Sequence, residues 1–282
     1  MSGEIMKAFD SQWRAKDLEA DIALCSRADV YPIVERNLRP GMKVLESGCG
    51  NGKWVFFLRR KGYDVSGLDW SPETVAAARA VDPSVPIVCG DARKSPFPDG
   101  GFDAVLSFGT MEHDAAGPEA ALADARRVLR PGGVLVATVP LLTPLRRALY
   151  AVREPLKRLK SLAAAHAAIR RDRLFTGLAE CRRGARRDAY PLCVLRDDGW
   201  HFFEYRFPLA VFRRLVEAAG FDVVESVPCC ARDAVFHDLA PWSGRWDFQR
   251  GEPVLSRPAE WAFRLFPNAF HHMGAVVARK KP

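Results

Sequence analysis

The sequence predicts an α/β protein built on a doubly wound, mostly parallel sheet, and three observations carry that expectation. An apolar strand, Val44-Leu45-Glu46-Ser47, runs into the glycine-dense turn Gly48-Cys49-Gly50-Asn51-Gly52 and then into a helix-length segment, Lys53 to Arg60. Strand-length apolar runs and helix-length segments keep alternating through residues 41–140, the pattern of a parallel sheet with helices on both faces. A carboxylate, Asp69, closes the next apolar run about twenty residues past the glycines, where a doubly wound fold sets an acid against a ribose.

Each element has its own signal. Glycines after a strand let backbone approach a ligand without Cβ atoms in the way, which points to a nucleotide-type cofactor. A dinucleotide fingerprint would read G-x-G-x-x-G, but the third glycine position is taken by Lys53, which argues against a nicotinamide dehydrogenase. Tyr63 to Leu68 reads as the second strand and Ser71-Pro72 as a helix cap with its first-turn proline. Val85 to Cys89 is a third strand ending at Gly90-Asp91-Ala92, and Phe102 to Ser107 a fourth that opens onto Phe108-Gly109-Thr110-Met111-Glu112-His113. A helix from Ala120, the turn Arg130-Pro131-Gly132-Gly133 and the strand Val134 to Val139 follow, and Pro140 closes this core.

Around the core the chain divides into a helical cap over residues 1–40, the core at 41–140, a basic helical insertion at 141–199 and a C-terminal part of the core at 200–282. The cap reads as helices Glu4 to Ala20 and Ala28 to Asn37, stopped by Arg39-Pro40-Gly41. The C-terminal part reads as a helix from Pro208 to Ala219, a strand Phe221 to Val227 and a last strand Met273 to Arg279, interrupted by an aromatic insertion at about 228–272. Both insertions read as lids. In the first, Leu145, Leu149, Val152, Leu156 and Leu159 form an apolar stripe on a basic helix that Pro155 kinks. Such a stripe either packs on its own protein or rests on anionic lipid.

The 282 residues are 48% hydrophobic, enough for a sizeable core, and contain no run of about 18 uncharged apolar residues. The N-terminus lacks the charged and apolar regions of a signal peptide, so residence in the cytoplasm is expected, with peripheral membrane contact open. Seven cysteines without C-x-x-C spacing fit reduced thiols, and neither a disulfide framework nor a metal is expected. The net charge of +8 concentrates between Arg146 and Arg187, outside the cofactor core.

The pattern Glu46-x-Gly48-x-Gly50-x-Gly52, taken with Asp69, Gly90-Asp91-Ala92 and the helix–turn–strand from Ala120 to Val139, resembles the class I S-adenosylmethionine-dependent methyltransferases. Within them it is most similar to the type 11, ubiquinone-biosynthesis-like enzymes that act on small molecules. The resemblance implies a Rossmann-like fold and S-adenosylmethionine as methyl donor. It places Glu46, Gly48 and Gly50 at the methionine end, Asp69 on the ribose, and Asp91 with Ala92 beside the adenine, with Trp70 available to stack on that ring. The plainer roles are a tight turn for the glycines, a helix cap for Asp69, a turn cap for Asp91 and core packing for Trp70.

Two histidines are candidates for proton transfer. His113 follows the fourth strand, where an open α/β sheet places reacting groups, and His201 lies among aromatics ahead of the penultimate helix. Each has a structural alternative, as a strand-end or packed histidine. The expected acceptor is a small, hydrophobic or membrane-derived molecule, with oxygen preferred over carbon or nitrogen. An RNA methyltransferase using the basic insertion is the alternative within the family, and a non-catalytic scaffold the alternative outside it.

Overall fold

A computed structural model describes residues 17–152, 174–176, 185–196, 199–238, 243–247, 252–266 and 269–282. Among the described residues, seven strands form one sheet: β1 (Lys43–Ser47), β2 (Asp64–Asp69), β3 (Ile87–Cys89), β4 (Phe102–Phe108), β5 (Leu129–Pro140), β9 (Phe221–Cys229) and β12 (Met273–Lys280). Their order across the sheet is β3-β2-β1-β4-β5-β12-β9. The first five run parallel, and β12 is inserted antiparallel between β5 and β9. The doubly wound, mostly parallel α/β class expected from the sequence is therefore the one observed.

Parallel strands need crossovers, and amphipathic helices supply them: α3 (Lys53–Arg60) between β1 and β2, α4 (Pro72–Val81) between β2 and β3, and α5 (Glu119–Val128) between β4 and β5. The helices cover both faces, so the strands are apolar on both. Val44, Val55, Val65 and Ile87 belong to one core, and Leu45, Val105, Leu122 and Phe212 to the other. The turn expected at Arg130–Gly133 is absorbed into β5, where pairing with β4 shifts between Phe102 and Ala104. The order reverses between β1 and β4, and a crevice opens there at the carboxyl ends of the strands.

At the N-terminal end, α1 (Leu18–Cys25) and α2 (Tyr31–Asn37) precede the sheet. Most of the helix expected over Glu4 to Ala20 lies outside the described residues. Asp21 on α1 accepts a 3.0 Å hydrogen bond from Asn51 Nδ2, so this helix braces the glycine turn directly.

The first insertion differs from its reading as helical. Helix α6 covers 144–152, the stretch 153–173 lies outside the described residues, and three antiparallel strands follow: β6 (Leu174–Thr176), β7 (Tyr190–Arg196) and β8 (Gly199–Arg206). Tyr190 to Arg206 is dense in aromatic and apolar residues, a strand signal overshadowed by the surrounding arginines. Because β8 belongs to this small sheet, the core resumes at Phe207 and α7 (Leu209–Ala218), not at residue 200. Of the leucine stripe, Leu145 packs on its own protein, against a cluster of Ala234, Val235, Ala259 and Phe270. Val152 is exposed, and Leu156 and Leu159 lie outside the described residues.

The second insertion contains α8 (Ala231–Asp238), a hairpin of β10 (Gly244–Asp247) and β11 (Glu252–Leu255), and α9 (Arg257–Leu265). Cys25, Cys49, Cys89, Cys229 and Cys230 are free thiols. Cys193 on β7 is disulfide-bonded, a correction to the expectation of reduced thiols throughout. Spacing along a chain does not report which thiols a fold brings into bonding geometry. No described helix is long and apolar enough to cross a membrane.

Candidate active site

The glycine turn is held by both its neighbours. Gly48 sits at φ +83°, and a Cβ there would collide with the side chain of Thr110 from the loop after β4. Glycine is required twice over, for the left-handed backbone and for the close approach. The Gly48 and Cys49 amides donate to Leu68 O at 2.7 and 2.9 Å, and the Gly50 amide donates to Asp69 Oδ2 at 2.8 Å. These bonds fasten the turn to the end of β2.

Asp69 is buried, and its other oxygen accepts from the Ser71 amide at 3.0 Å. Capping of α4 falls instead to Ser71, whose Oγ accepts from the Thr74 amide at 3.1 Å. Asp91 does cap its turn, accepting from the Arg93 amide at 2.8 Å, and the Arg93 guanidinium at 2.6 Å holds its carboxyl below the usual carboxylate range.

Two lobes open at the crevice. One, of about 270 Å³, is lined by Asp91, Ala92, Arg93 and Met111, and the other, of about 160 Å³, by Glu46, Gly50, Lys53 and Phe108. Gly48, Asp69, Trp70, Thr110 and His113 line both and form the wall between them. The structure thus brings Glu46, Gly48, Gly50, Asp69, Trp70, Asp91, Ala92 and His113 to one crevice. His201, on β8 opposite Val194 in the small sheet, is not among the residues lining either lobe.

Glu46 is buried beneath the smaller lobe, and its Oε2 has no hydrogen-bond partner. Burial pushes its pKa well above the usual carboxylate range; Lys53 opposes that shift and Asp69 adds to it. A cationic ligand in this lobe would supply the missing partner. The donor set therefore fits a molecule with a positively charged amino-acid end, a ribose and a flat base: an orphan carboxylate at one end, a buried aspartate in the middle, and Trp70 with Asp91 and Ala92 at the other.

Beyond β4 the chain turns through a short 3-10 segment, Met111–His113. His113 Nδ1 lies 2.8 Å from Phe203 O on β8, and the two rings meet edge to face at 5.1 Å. A carbonyl only accepts, so Nδ1 carries a proton, and in the neutral ring Nε2 carries the lone pair. Tyr205 Oη donates to Ala115 O at 2.9 Å and pins the same strand to the same loop. Behind His113, Glu112 is 1% exposed with its Oε2 unpartnered, while its Oε1 stands 4.0 Å from His113 Nε2. Burial, and then the nearby Glu204 carboxylate, push the Glu112 pKa well up. Glu204 is held by Arg206 at 3.3 Å, and Arg206 in turn contacts the hydroxyl of Tyr150 and lies over its ring at 5.5 Å.

Sequence reasoning missed Thr110, Lys53 as a lining residue, Arg93 and the Glu112–Glu204 pair. Thr110 and Arg93 lie next to motif residues, so proximity could have flagged them. Glu204 carries no such signal, being separated from Glu112 by the whole of the first insertion.

Residues 45–137 match the family described as methyltransferase domain. The chain is 36% identical over 140 residues to a demethylmenaquinone methyltransferase of Beutenbergia cavernae, covering 47% of this chain and 56% of that protein. It is 35% identical over 97 residues to a malonyl-[acyl-carrier protein] O-methyltransferase of Serratia marcescens, covering 34% and 38% respectively. Among solved structures, an S-adenosylmethionine-dependent methyltransferase from Mesorhizobium loti superposes with a TM-score of 0.54 at 19% identity, over 91% of this chain and 100% of that one.

Residues 45–137 carry a methyltransferase domain of the type 11 kind, similar to the class I S-adenosylmethionine-dependent methyltransferases. S-adenosylmethionine is the cosubstrate of this domain. The match spans little more than half of the Beutenbergia relative.

Proposed function

We propose that this chain transfers the methyl group of S-adenosylmethionine to an oxygen of a small acceptor. The observation that carries the reading is the junction of the two lobes. Asp69, Trp70, Thr110 and His113 face both, so a cofactor laid from Asp91 to Glu46 passes beside the His113 imidazole. Bound there, the cofactor supplies a sulfonium-activated methyl group, and the leaving thioether needs no acid from the protein.

The residues then divide the work of alignment. Asp69 is the ribose ligand, Glu46 the partner of the methionine ammonium, and Trp70 with Asp91 and Ala92 the adenine wall. Thr110 sets how closely the glycine turn approaches the loop after β4. Holding donor and acceptor in line supplies several kcal/mol of the barrier through effective molarity, on the order of 7 kcal/mol in favourable cases. A hydroxyl must also lose its proton, and His113 Nε2, oriented by the Nδ1 bond to Phe203 O, is the atom of this chain positioned to take it. His201 is assigned to shaping the small sheet. An oxygen acceptor accords with the name of the Serratia relative, and a small acceptor with that of the Beutenbergia relative.

The test is calorimetric titration of the folded protein with S-adenosylhomocysteine and, separately, with NAD. Micromolar binding of the former and none of the latter is expected; no binding of S-adenosylhomocysteine rejects the reading. His113→Asn should leave that binding intact and lower turnover by about a hundredfold, the low end of general-base contributions.

A further inference from the structure

We propose that α9, with Phe266 at its end, is a docking surface for an anionic lipid bilayer. Lipid binding there goes beyond the methyl-transfer reading and does not depend on it.

The helix has two apolar sides. Ala259 and Phe263, four residues apart, turn inward onto the cluster of Ala234, Val235 and Phe270. On the outer side Trp261 and Leu265, also four apart, are 66% and 50% exposed, and Phe266 at the helix end is 61% exposed. Large apolar side chains scattered singly over a surface are ordinary. Three gathered at one helix end form a patch, and a patch marks a contact surface.

The charges beside the patch decide what covers it. Helix α9 carries Arg257 and Arg264, both exposed, and a single acid, Glu260. That acid is already engaged twice, by Arg232 from α8 at 3.2 Å and by Arg264 at 3.4 Å, so the group keeps a positive excess. On the neighbouring hairpin Arg245 stands opposite Val254, and both are exposed. The hairpin's acids, Asp247 and Glu252, lie opposite each other at its far end from α9. Trp, Leu and Phe on one face with arginine alongside is the composition of a helix that lies in a headgroup layer. A two-fold contact through this patch would gather the same arginines from both copies, whereas anionic headgroups supply the opposite charge.

The root of the insertion sets where the bilayer lies. The chain leaves the sheet after β9 and rejoins it at β12, where Met273 is in register with both Cys229 and Pro140. Those two residues close β9 and β5 at the carboxyl ends of the strands, the end at which the crevice opens. The segment that carries α9 is thus anchored at the crevice end of the sheet. Leu145 of the first insertion's leucine stripe packs inward, and the lipid contact falls to α9 instead.

The test is co-sedimentation of the full chain with vesicles of phosphatidylcholine containing phosphatidylserine, and with vesicles of phosphatidylcholine alone. Binding to the anionic vesicles, weakened by salt, is expected. Trp261→Ser combined with Phe266→Ser should weaken it at least about tenfold, and Arg264→Gln about fivefold, with melting temperature and S-adenosylhomocysteine affinity as in the parent. Val81→Ser, at an exposed valine on α4, should leave vesicle binding unchanged. Failure of the folded chain to bind anionic vesicles overturns the proposal, as does binding that the α9 variants leave intact. A dimer found by lipid-free sedimentation and split by the double variant also overturns it, because the patch then belongs to a second copy of the chain.

Discussion

Arg146 is completely enclosed and donates from Nε to both oxygens of Asp238, at 2.8 and 3.0 Å. One residue comes from the first insertion and the other from the second, so this ion pair joins two segments that are separate in sequence. The rest of the guanidinium is also satisfied: Nη1 donates to Leu141 O and His272 O at 3.2 Å, and Nη2 to His272 Nδ1 at 2.8 Å. Leu141 follows the last residue of β5, so the pair ties both insertions to the sheet.

Breaking this pair should be costly, because the surviving charge stays buried. Arg146→Met is expected to lower stability by about 3–5 kcal/mol, and pairing it with Asp238→Leu should recover much of the loss. Denaturant unfolding of the two single variants and the double variant measures this; a double variant as weak as Arg146→Met would show that packing, not charge, is at stake.

The same cluster predicts acid sensitivity. Burial and the Arg146 guanidinium hold His272 well below the usual histidine range, because its Nδ1 must accept from a cation. The folded pKa lies below the unfolded value, so the unfolded chain binds the extra proton first. Stability should be fully present above about pH 6.5 and decline as pH falls below it. Melting temperatures from pH 8 to pH 5 should show this decline, and His272→Gln should flatten it.

Gly48 and Gly41 make a matched pair. Both have positive φ, at +83° and +86°, but an added Cβ strikes Thr110 at the first and finds nothing within 4 Å at the second. Alanine should therefore cost about 1–2 kcal/mol of backbone strain at either position, and only Gly48→Ala should also weaken S-adenosylhomocysteine binding, by tenfold or more. Equal binding by the two variants would show that the Thr110 contact does not shape the cofactor lobe.

Glu46 predicts opposite effects on stability and binding. Its folded pKa is raised, so as pH rises above about 4.3 the unfolded chain ionises first and stability falls. Glu46→Gln removes that loss and should stabilise the ligand-free protein at neutral pH by about 1 kcal/mol or more. It should also weaken S-adenosylhomocysteine binding, because the orphan oxygen no longer offers a charge to the ammonium. Calorimetry and thermal melting of the same sample test both signs.

What is legible in the sequence is what short-range chemistry specifies. The glycine turn, α3 at Lys53–Arg60 and the acid after β2 depend on residues within about twenty positions, and those residues suffice to locate them. The resemblance of the chain's motifs to those of the family also singles out Glu46, Asp69, Asp91 and Ala92. The same signals mislead at Tyr190–Arg206, where a count of arginines hides two strands. They also offer both His113 and His201, of which His113 lines the lobes and His201 does not.

The local pattern of glycine, acid and apolar residues is sufficient for the fold class and a nucleotide-type cofactor, because turn geometry and sheet winding are set by neighbours along the chain; the methyl donor follows from the resemblance of those motifs to the family. The acceptor side is not readable in this way. Glu112 meets Glu204 across the first insertion, and Arg146 meets Asp238 across most of the C-terminal half. The burial of these groups, and with it the raised Glu112 pKa and its unmet hydrogen bond, exists only once packing excludes water from both partners at once.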